Sequence, residues 1–266
     1  NHYRLTGYEI DPQLASKTKN LFYSESINLN CIEKDFLLSK IDIKYDGVIC
    51  NPPYIHFQDY KNSLSLIDSF NHKYNLNLKG FSNIYSLFLI KSLQLLSKQG
   101  RGAFIIPSEF LNSDYGTTIK RFLVRHGSLR HLIIFDPSYP IFEGILTTSA
   151  ILLFDNENKD RLNIYNIGKP EQLEDLKEYL YGFNPKNTQL NIKTYSLTDL
   201  NPNIKWKYYY KDLKINLHLN SKSNLIKFKE LAKIRRGIAT GANDFFTLSK
   251  SDALKHKIHS QYLTPC

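Results

Sequence analysis

The stretch Tyr45-Asp46-Gly47-Val48-Ile49-Cys50-Asn51-Pro52-Pro53-Tyr54 decides the fold. Its first half, YDGVIC, is a short apolar run that reads as a buried strand, and the two prolines end it. Outward from it, short apolar strands alternate with helical patterns, the signature of an α/β sheet. Upstream, Leu5 to Glu9 reads as a strand. Asp11-Pro12 opens a helix through about Phe22, with proline at an early helical position. Ile27 to Ile32 is a further strand, ending near Asp35. Downstream, residues 55–80 are polar and read as a long irregular loop or lid, a type that is usually functional. Ile84 to Leu96 has helical periodicity, Gly100 to Pro107 is a strand, Thr117 to His126 a helix and Leu129 to Phe135 a strand. Thr147 to Phe154 is the last obvious strand of the body, and residues 171–181 are acidic and helix-like.

In open α/β sheets, ligands gather at the carboxyl ends of the strands. Three strands here end in informative residues: Glu9, Asp35 and Asn51. The prolines after Asn51 fix the backbone, and each restricts the residue before it. The corner is therefore rigid and extended, so the Asn51 side-chain oxygen and the Pro52 carbonyl can point the same way. Two convergent acceptors suit a planar NH2 group, one N–H each, and Tyr54 offers a π-face for stacking. The nitrogen of an adenine amine is a poor nucleophile because its lone pair is delocalised into the ring. Holding both hydrogens on acceptors favours a pyramidal nitrogen, which stabilises the reacting geometry rather than the ground state.

Glu9 has two readings. A carboxylate at a strand end can accept both hydroxyls of a ribose, or it can be an acid stabilised by the following helix dipole. Asp35-Phe36 also has two: an acceptor for an exocyclic amine beside a ring that packs on a purine, or a turn residue plus a core phenylalanine.

Hydrophobic residues make up 42% of the 266 residues and aromatics 13%, enough to bury a sizeable core. This excludes disordered, collagen-like and disulfide-scaffold classes. No apolar run approaches a membrane span, and no signal peptide is visible, so no membrane partner is expected. Cys31, Cys50 and Cys266 lack ligand-like spacing, and the eight histidines show no metal-pair spacing, so no metal is expected. A reducing, cytoplasmic setting fits best. The net charge of +10 is uneven: residues 201–266 hold 13 Lys/Arg against 4 Asp/Glu, which points to a polyanion contacted at that end. Trp206, Tyr208, Tyr209, Tyr210, Phe245 and Phe246 are embedded in this basic stretch and argue against a floppy tail. Lys233, Arg235 and Arg236 read as phosphate contacts, with a solvated basic face as the alternative. The composition shifts to basic around Asn220-Ser221-Lys222-Ser223, which places a boundary there.

Gly7-Tyr8-Glu9-Ile10-Asp11-Pro12, Asp35-Phe36 and Asn51-Pro52-Pro53-Tyr54 follow in the order and spacing of amino-methyltransferases that use S-adenosylmethionine. Further matches are Asn83-Ile84-Tyr85-Ser86-Leu87-Phe88, Gly100-Arg101-Gly102-Ala103-Phe104-Ile105-Ile106-Pro107, and Phe142 upstream of Phe154. The set resembles the gamma-type (TaqI-like) DNA adenine-N6 methyltransferases of restriction–modification systems. Arg236-Gly237-Ile238-Ala239-Thr240-Gly241-Ala242-Asn243 resembles the entry to a target-recognition domain.

The resemblance implies a Rossmann-like S-adenosylmethionine-dependent methyltransferase sheet over residues 1–220 and the start of a C-terminal DNA-recognition domain over 221–266. It implies that Glu9 holds the cofactor ribose, Ile10 packs on the cofactor adenine, Asp35 accepts from its amine, and Phe36 and Phe88 line that pocket. Asn51 and Pro52 would hold the target amine. Tyr54, with Pro53 beside it, would stack on the flipped base, and Phe142 would pack from another side. Flipping is physically required, because the amine is unreachable inside the duplex stack. The implied partners are double-stranded DNA and a cognate restriction endonuclease, separate or fused. The family's Gly-rich cofactor loop precedes the strand that ends at Glu9, so this chain is expected to lack that loop and the central first strand of the sheet. Two other readings stand beside this one: a protein-glutamine or rRNA guanine amino-methyltransferase, which shares the planar NH2 chemistry, and a non-catalytic DNA-recognition module from a degenerate modification gene.

Overall fold

The fold is taken from a computed structural model of the chain. It describes all residues except 1–2, 61–62, 80–82, 138, 140–147, 158, 184–189, 212–225, 227, 234–242 and 265–266. The chain divides into two compact units, Asn1–Leu213 and Lys214–Cys266.

The first unit is α/β. β1 (Leu5–Glu9) and β2 (Leu29–Glu33) form a parallel pair joined by α1 (Pro12–Ser24). α1 starts where the sequence places it. The Asp11 carboxylate accepts from the Gln13 and Leu14 amides at 2.8 and 3.0 Å, and Pro12 uses the first turn, where its missing N–H costs nothing. A second sheet runs in the order β3-β4-β6-β5-β7-β8. Its strands are β3 (Tyr45–Cys50), β4 (Leu96–Pro107), β5 (Leu129–Phe135), β6 (Ser149–Asp155), β7 (Leu162–Ile167) and β8 (Ile192–Tyr195). β3 lies parallel to β4, and β5 parallel to β7. β6 is antiparallel to both β4 and β5, and β8 is antiparallel to β7.

Among the described residues, β1 and β3 pair with no common strand. Instead, residues 4–8, Tyr45 and residues 47–51 line one cavity of about 390 Å³. Ile49, a strand residue that the apolar pattern marks for burial, is 90% exposed.

The core lies between the second sheet and three helices: α2 (Ser63–Tyr74), α3 (Tyr85–Gln94) and α4 (Gly116–His126). Leu87, Leu89, Ile90, Phe104, Ile106, Leu132, Leu152 and Trp206 are fully or almost fully buried there. A smaller cluster under α5 (Pro170–Leu180) is built on Ile133, Phe135, Tyr165, Ile167 and Leu176.

Two further expectations change. Residues 55–80 are not irregular: Phe57–Asp59 form a 3₁₀ turn, and α2 follows with Leu66, Ile67 and Phe70 buried. Those apolar residues fall at helical spacing, but Asp68 and Ser69 between them and the serines before them masked the pattern. Thr147–Phe154 does not close the body, because β7 and β8 extend the sheet. β8 is only four residues long and partly exposed, which leaves a weak apolar signal. Trp206, one of the aromatics embedded in the basic stretch, lies in the core of the first unit: its indole N–H donates to the Asn201 carbonyl at 3.1 Å, and its amide to Leu111 O at 2.8 Å. It is followed by the short α6 (Lys207–Tyr210).

The second unit carries α7 (Phe228–Leu231), α8 (Asn243–Phe246) and α9 (Lys250–Lys255). Phe245 and Phe246 are exposed there. Among the described residues, no helix is long and apolar enough to cross a membrane.

Candidate functional site

Asn51 follows the last residue of β3. It is exposed, whereas Pro52 behind it is buried and anchors the corner. The Tyr54 hydroxyl reaches back to the Asn51 side-chain oxygen at 2.8 Å and to the Ile105 carbonyl of β4 at 3.1 Å. Tyr54 remains 39% exposed, and burial of the rest lifts its phenol above the ordinary range. Its ring meets the edge of Tyr85 at 6.4 Å and 88°. Tyr85 is fully buried, and its hydroxyl lies 3.4 Å from that of Tyr115. The segment after Tyr54 is pinned to the start of α3 by a bridge between His56 and Asn83 and by the Ile84 amide donating to Ile55 O at 2.9 Å.

Glu9 ends β1. One of its oxygens, Oε1, accepts from the Asp11 amide at 2.9 Å. Asp11, not Glu9, caps α1, so the helix-stabilising role considered for Glu9 belongs to its neighbour. Ile10 is 65% exposed beside it.

Asp35 begins the loop after β2. Its Oδ1 accepts from the Leu37 and Leu38 amides at 2.7 and 3.3 Å, and its Oδ2 from the Tyr60 hydroxyl. Phe36 is stacked on Phe88 at 5.3 Å with a 21° interplanar angle, and takes the edge of Tyr8 at 5.5 Å. The Tyr8 phenol is pushed up to about 12, first by burial and then by the neighbouring Tyr45 phenol.

The cavity of about 390 Å³ between β1 and β3 is lined by Tyr8, Phe36, Phe88, Cys50 and Asn51. Phe36, Phe88 and Asn51, which are far apart in sequence, thus share one space. Burial raises the Cys50 thiol to about 11, so it contributes apolar lining rather than a thiolate.

Phe142, Arg235 and Arg236 lie outside the described residues; Lys233 is exposed in the second unit. The sequence reading missed Tyr60, Tyr85 and Lys91. Tyr60 sat in the stretch read as loop and carried no signal. Tyr85 and Lys91 flank Phe88 at spacings of three on α3, and a lysine inside Leu-Phe-Leu-Ile-Lys-Ser-Leu is a sequence cue for a buried cation.

Residues 5–142 match the Eco57I restriction–modification methylase family. The chain is 39% identical to the type II methyltransferase M.AccI of Acinetobacter calcoaceticus over 98% of its own length and 47% of that protein's. It thus spans under half of this relative. Among solved structures, a type I restriction–modification methyltransferase subunit from Streptococcus thermophilus superposes with a TM-score of 0.60 at 14% identity, covering 78% of this chain and 48% of that one. A class I S-adenosylmethionine-dependent methyltransferase fold from Listeria monocytogenes gives 0.53 at 16% identity, covering 66% and 54%. These likenesses place the first unit in the Rossmann-like class I methyltransferase fold. By its matched residues and its identity to M.AccI, the chain belongs to the Eco57I-type restriction–modification methylase family.

Proposed function

We propose that the full-length protein containing this chain transfers a methyl group from S-adenosylmethionine to the exocyclic N6 of a flipped adenine in duplex DNA, within a restriction–modification system that includes a cognate endonuclease. One observation carries the reading: the acceptor-bearing Asn51 and the Phe36–Phe88 aromatic pair line the same cavity.

The residues present fit the cofactor. Phe36 and Phe88 stack as a flat pair and Tyr8 meets Phe36 edge-on in the cavity lining. The carboxylates of Glu9 and Asp35 do not line the cavity but adjoin lining residues in sequence, Glu9 next to Tyr8 and Asp35 next to Phe36. When bound, S-adenosylmethionine supplies an electrophilic methyl group on its sulfonium. Glu9 accepts from the ribose hydroxyls, Asp35 from the cofactor amine, and Ile10, Phe36 and Phe88 flank the ring. Asn51 Oδ1 and the Pro52 carbonyl accept the two N–H bonds of the target amine and leave its lone pair free for attack. The amine proton turns acidic only once the nitrogen has bonded to carbon, so no strong base is needed beforehand. Tyr54, with Pro53, and Phe142 pack on the extruded base, and stacking of about 1–3 kcal/mol per base offsets part of the unstacking cost. Lys233, Arg235 and Arg236 meet phosphates. The catalytic domain is assigned to 1–220 and the start of the target-recognition domain to 221–266.

The test offers the full-length protein methyl-labelled cofactor with duplex DNA, rRNA or a glutamine-bearing protein substrate in turn, followed by nucleoside and amino-acid analysis. Labelled N6-methyladenine is expected, and its loss in Asn51→Ala with cofactor affinity retained. Label in cytosine, in rRNA guanine or in protein glutamine would overturn the adenine assignment. No transfer from intact protein would support a non-catalytic recognition module instead.

A further inference from the structure

Lys91 is 7% exposed on α3, a helix whose other buried residues include Leu87, Leu89, Ile90 and Leu93 and no other charged group. A buried ammonium is costly unless its donors are used, and it has three N–H bonds to place. All three have partners: the carbonyls of Phe36, Leu37 and Ser39 at 2.5, 3.0 and 2.6 Å. None of these is a carboxylate, so the cation is stitched to a loop backbone rather than spent on an ion pair. The same nitrogen stands 5.0 Å from the centroid of the Phe36 ring. From the other side, Asp35 holds the amides of the same loop. The loop after β2 is thus clamped at its carbonyls by Lys91 and at its N–H groups by Asp35.

We propose that Lys91 is a positioning residue: it fixes the loop whose Asp35 and Phe36 recognise the purine ring of the methyl donor. This rests on the cofactor reading above. Lys91 itself touches no ligand. It sets where the Asp35 carboxylate and the Phe36 face stand, and so sets discrimination for the 6-amino group more than overall affinity.

The groups facing Lys91 are Lys73 and Tyr74 from α2, with Asp35 and Lys40 from the loop. Its ammonium is lowered to about 8, chiefly by burial, with Lys73 adding to the shift and Asp35 opposing it. Above that pH the amine has two N–H bonds for three carbonyls, and the clamp loosens. The Tyr60 phenol, which holds Asp35, is raised by burial and by Asp35 itself, and stays protonated across this range.

The test measures binding of S-adenosylhomocysteine and of its analogue lacking the 6-amino group, by calorimetry on the full-length protein. Wild type should prefer the amino form by about tenfold, the worth of one hydrogen bond to a charged acceptor. Lys91→Met should bring that ratio close to one, and Lys91→Arg should restore part of it. An unchanged ratio in Lys91→Met, with both ligands weakened equally, overturns the proposal and leaves the cofactor reading standing. If Lys91→Met does not fold, wild type decides: its ratio should shrink between pH 7 and pH 9.5, about one unit or more either side of the lysine's value. A constant ratio overturns the proposal. Wild type that binds neither ligand overturns the cofactor reading, and this inference with it.

Discussion

The hydroxyl of Tyr54 lies 2.8 Å from the side-chain oxygen of Asn51. An amide oxygen has two lone pairs, so one stays available while the other accepts from the phenol. The contact also sets which end of the Asn51 amide faces outward. Tyr54 is therefore more than a stacking surface, because it orients the acceptor beside which its own ring lies. Tyr54→Phe keeps the ring and removes the hydroxyl. Its expected effect is a fall in methyl transfer of about tenfold, roughly the worth of one hydrogen bond, with base extrusion unchanged. A 2-aminopurine probe at the target position reads extrusion, and Tyr54→Ala should lower both signals.

Gly116 opens α4 against the backbone of the preceding turn. A Cβ built there would stand 1.7 Å from the Phe110 carbonyl oxygen, and backbone cannot yield as a side chain can. Gly116→Ala should destabilise the first unit by about 3 kcal/mol, the upper range for overpacking. Chemical denaturation of the full-length protein measures it; an unchanged midpoint would show that the turn rearranges freely.

Trp206 is fully buried and donates its indole N–H to Asn201. Trp206→Ala should cost about 3–5 kcal/mol by cavity formation. A loss under about 1 kcal/mol would place the segment from Asn201 onward outside the cooperative core.

Lys91 also links stability to pH. Its folded value of about 8 lies below the ordinary 10.5, so between these the unfolded chain binds more protons at this site. The cost of burying the charge is present in full below pH 8 and is relieved as pH rises through 8 to 10.5. The stability of wild type relative to Lys91→Met should therefore increase with pH across that window. A flat difference would mean the lysine is solvated.

DNA affinity of the full-length protein should fall steeply with salt. Lys233→Ala should reduce the slope of log affinity against log salt by roughly 0.9 if it meets one phosphate. A slope identical to wild type would assign Lys233 to a solvated face.

The strand-and-corner stretch from Tyr45 to Tyr54 was legible because strand, diproline and aromatic each have a stiff local preference. α1 was legible for the same reason, through Asp11-Pro12. α2 was not: its buried Leu66, Ile67 and Phe70 are diluted by polar residues, and the partners that bury them lie far along the chain. The site divided similarly. Glu9, Asp35 and Asn51 announced themselves at strand ends, whereas the Tyr54–Asn51 bond, the Tyr60 hydroxyl on Asp35 and the Lys91 clamp depend on three-dimensional proximity.

Tyr85, Phe88 and Lys91 sit three residues apart on α3, one beneath Tyr54, one on Phe36 and one on the Phe36 loop. The span from the first to the last is about 9 Å of helical rise. On the proposed reading, the separation between the methyl-giving and methyl-receiving ends is metered by a hydrogen-bonded rod, not by the give of a connecting loop. A single residue inserted into that rod would turn one end by about 100° against the other, at a period of 3.6 residues per turn. Length variation among relatives should accordingly collect outside α3.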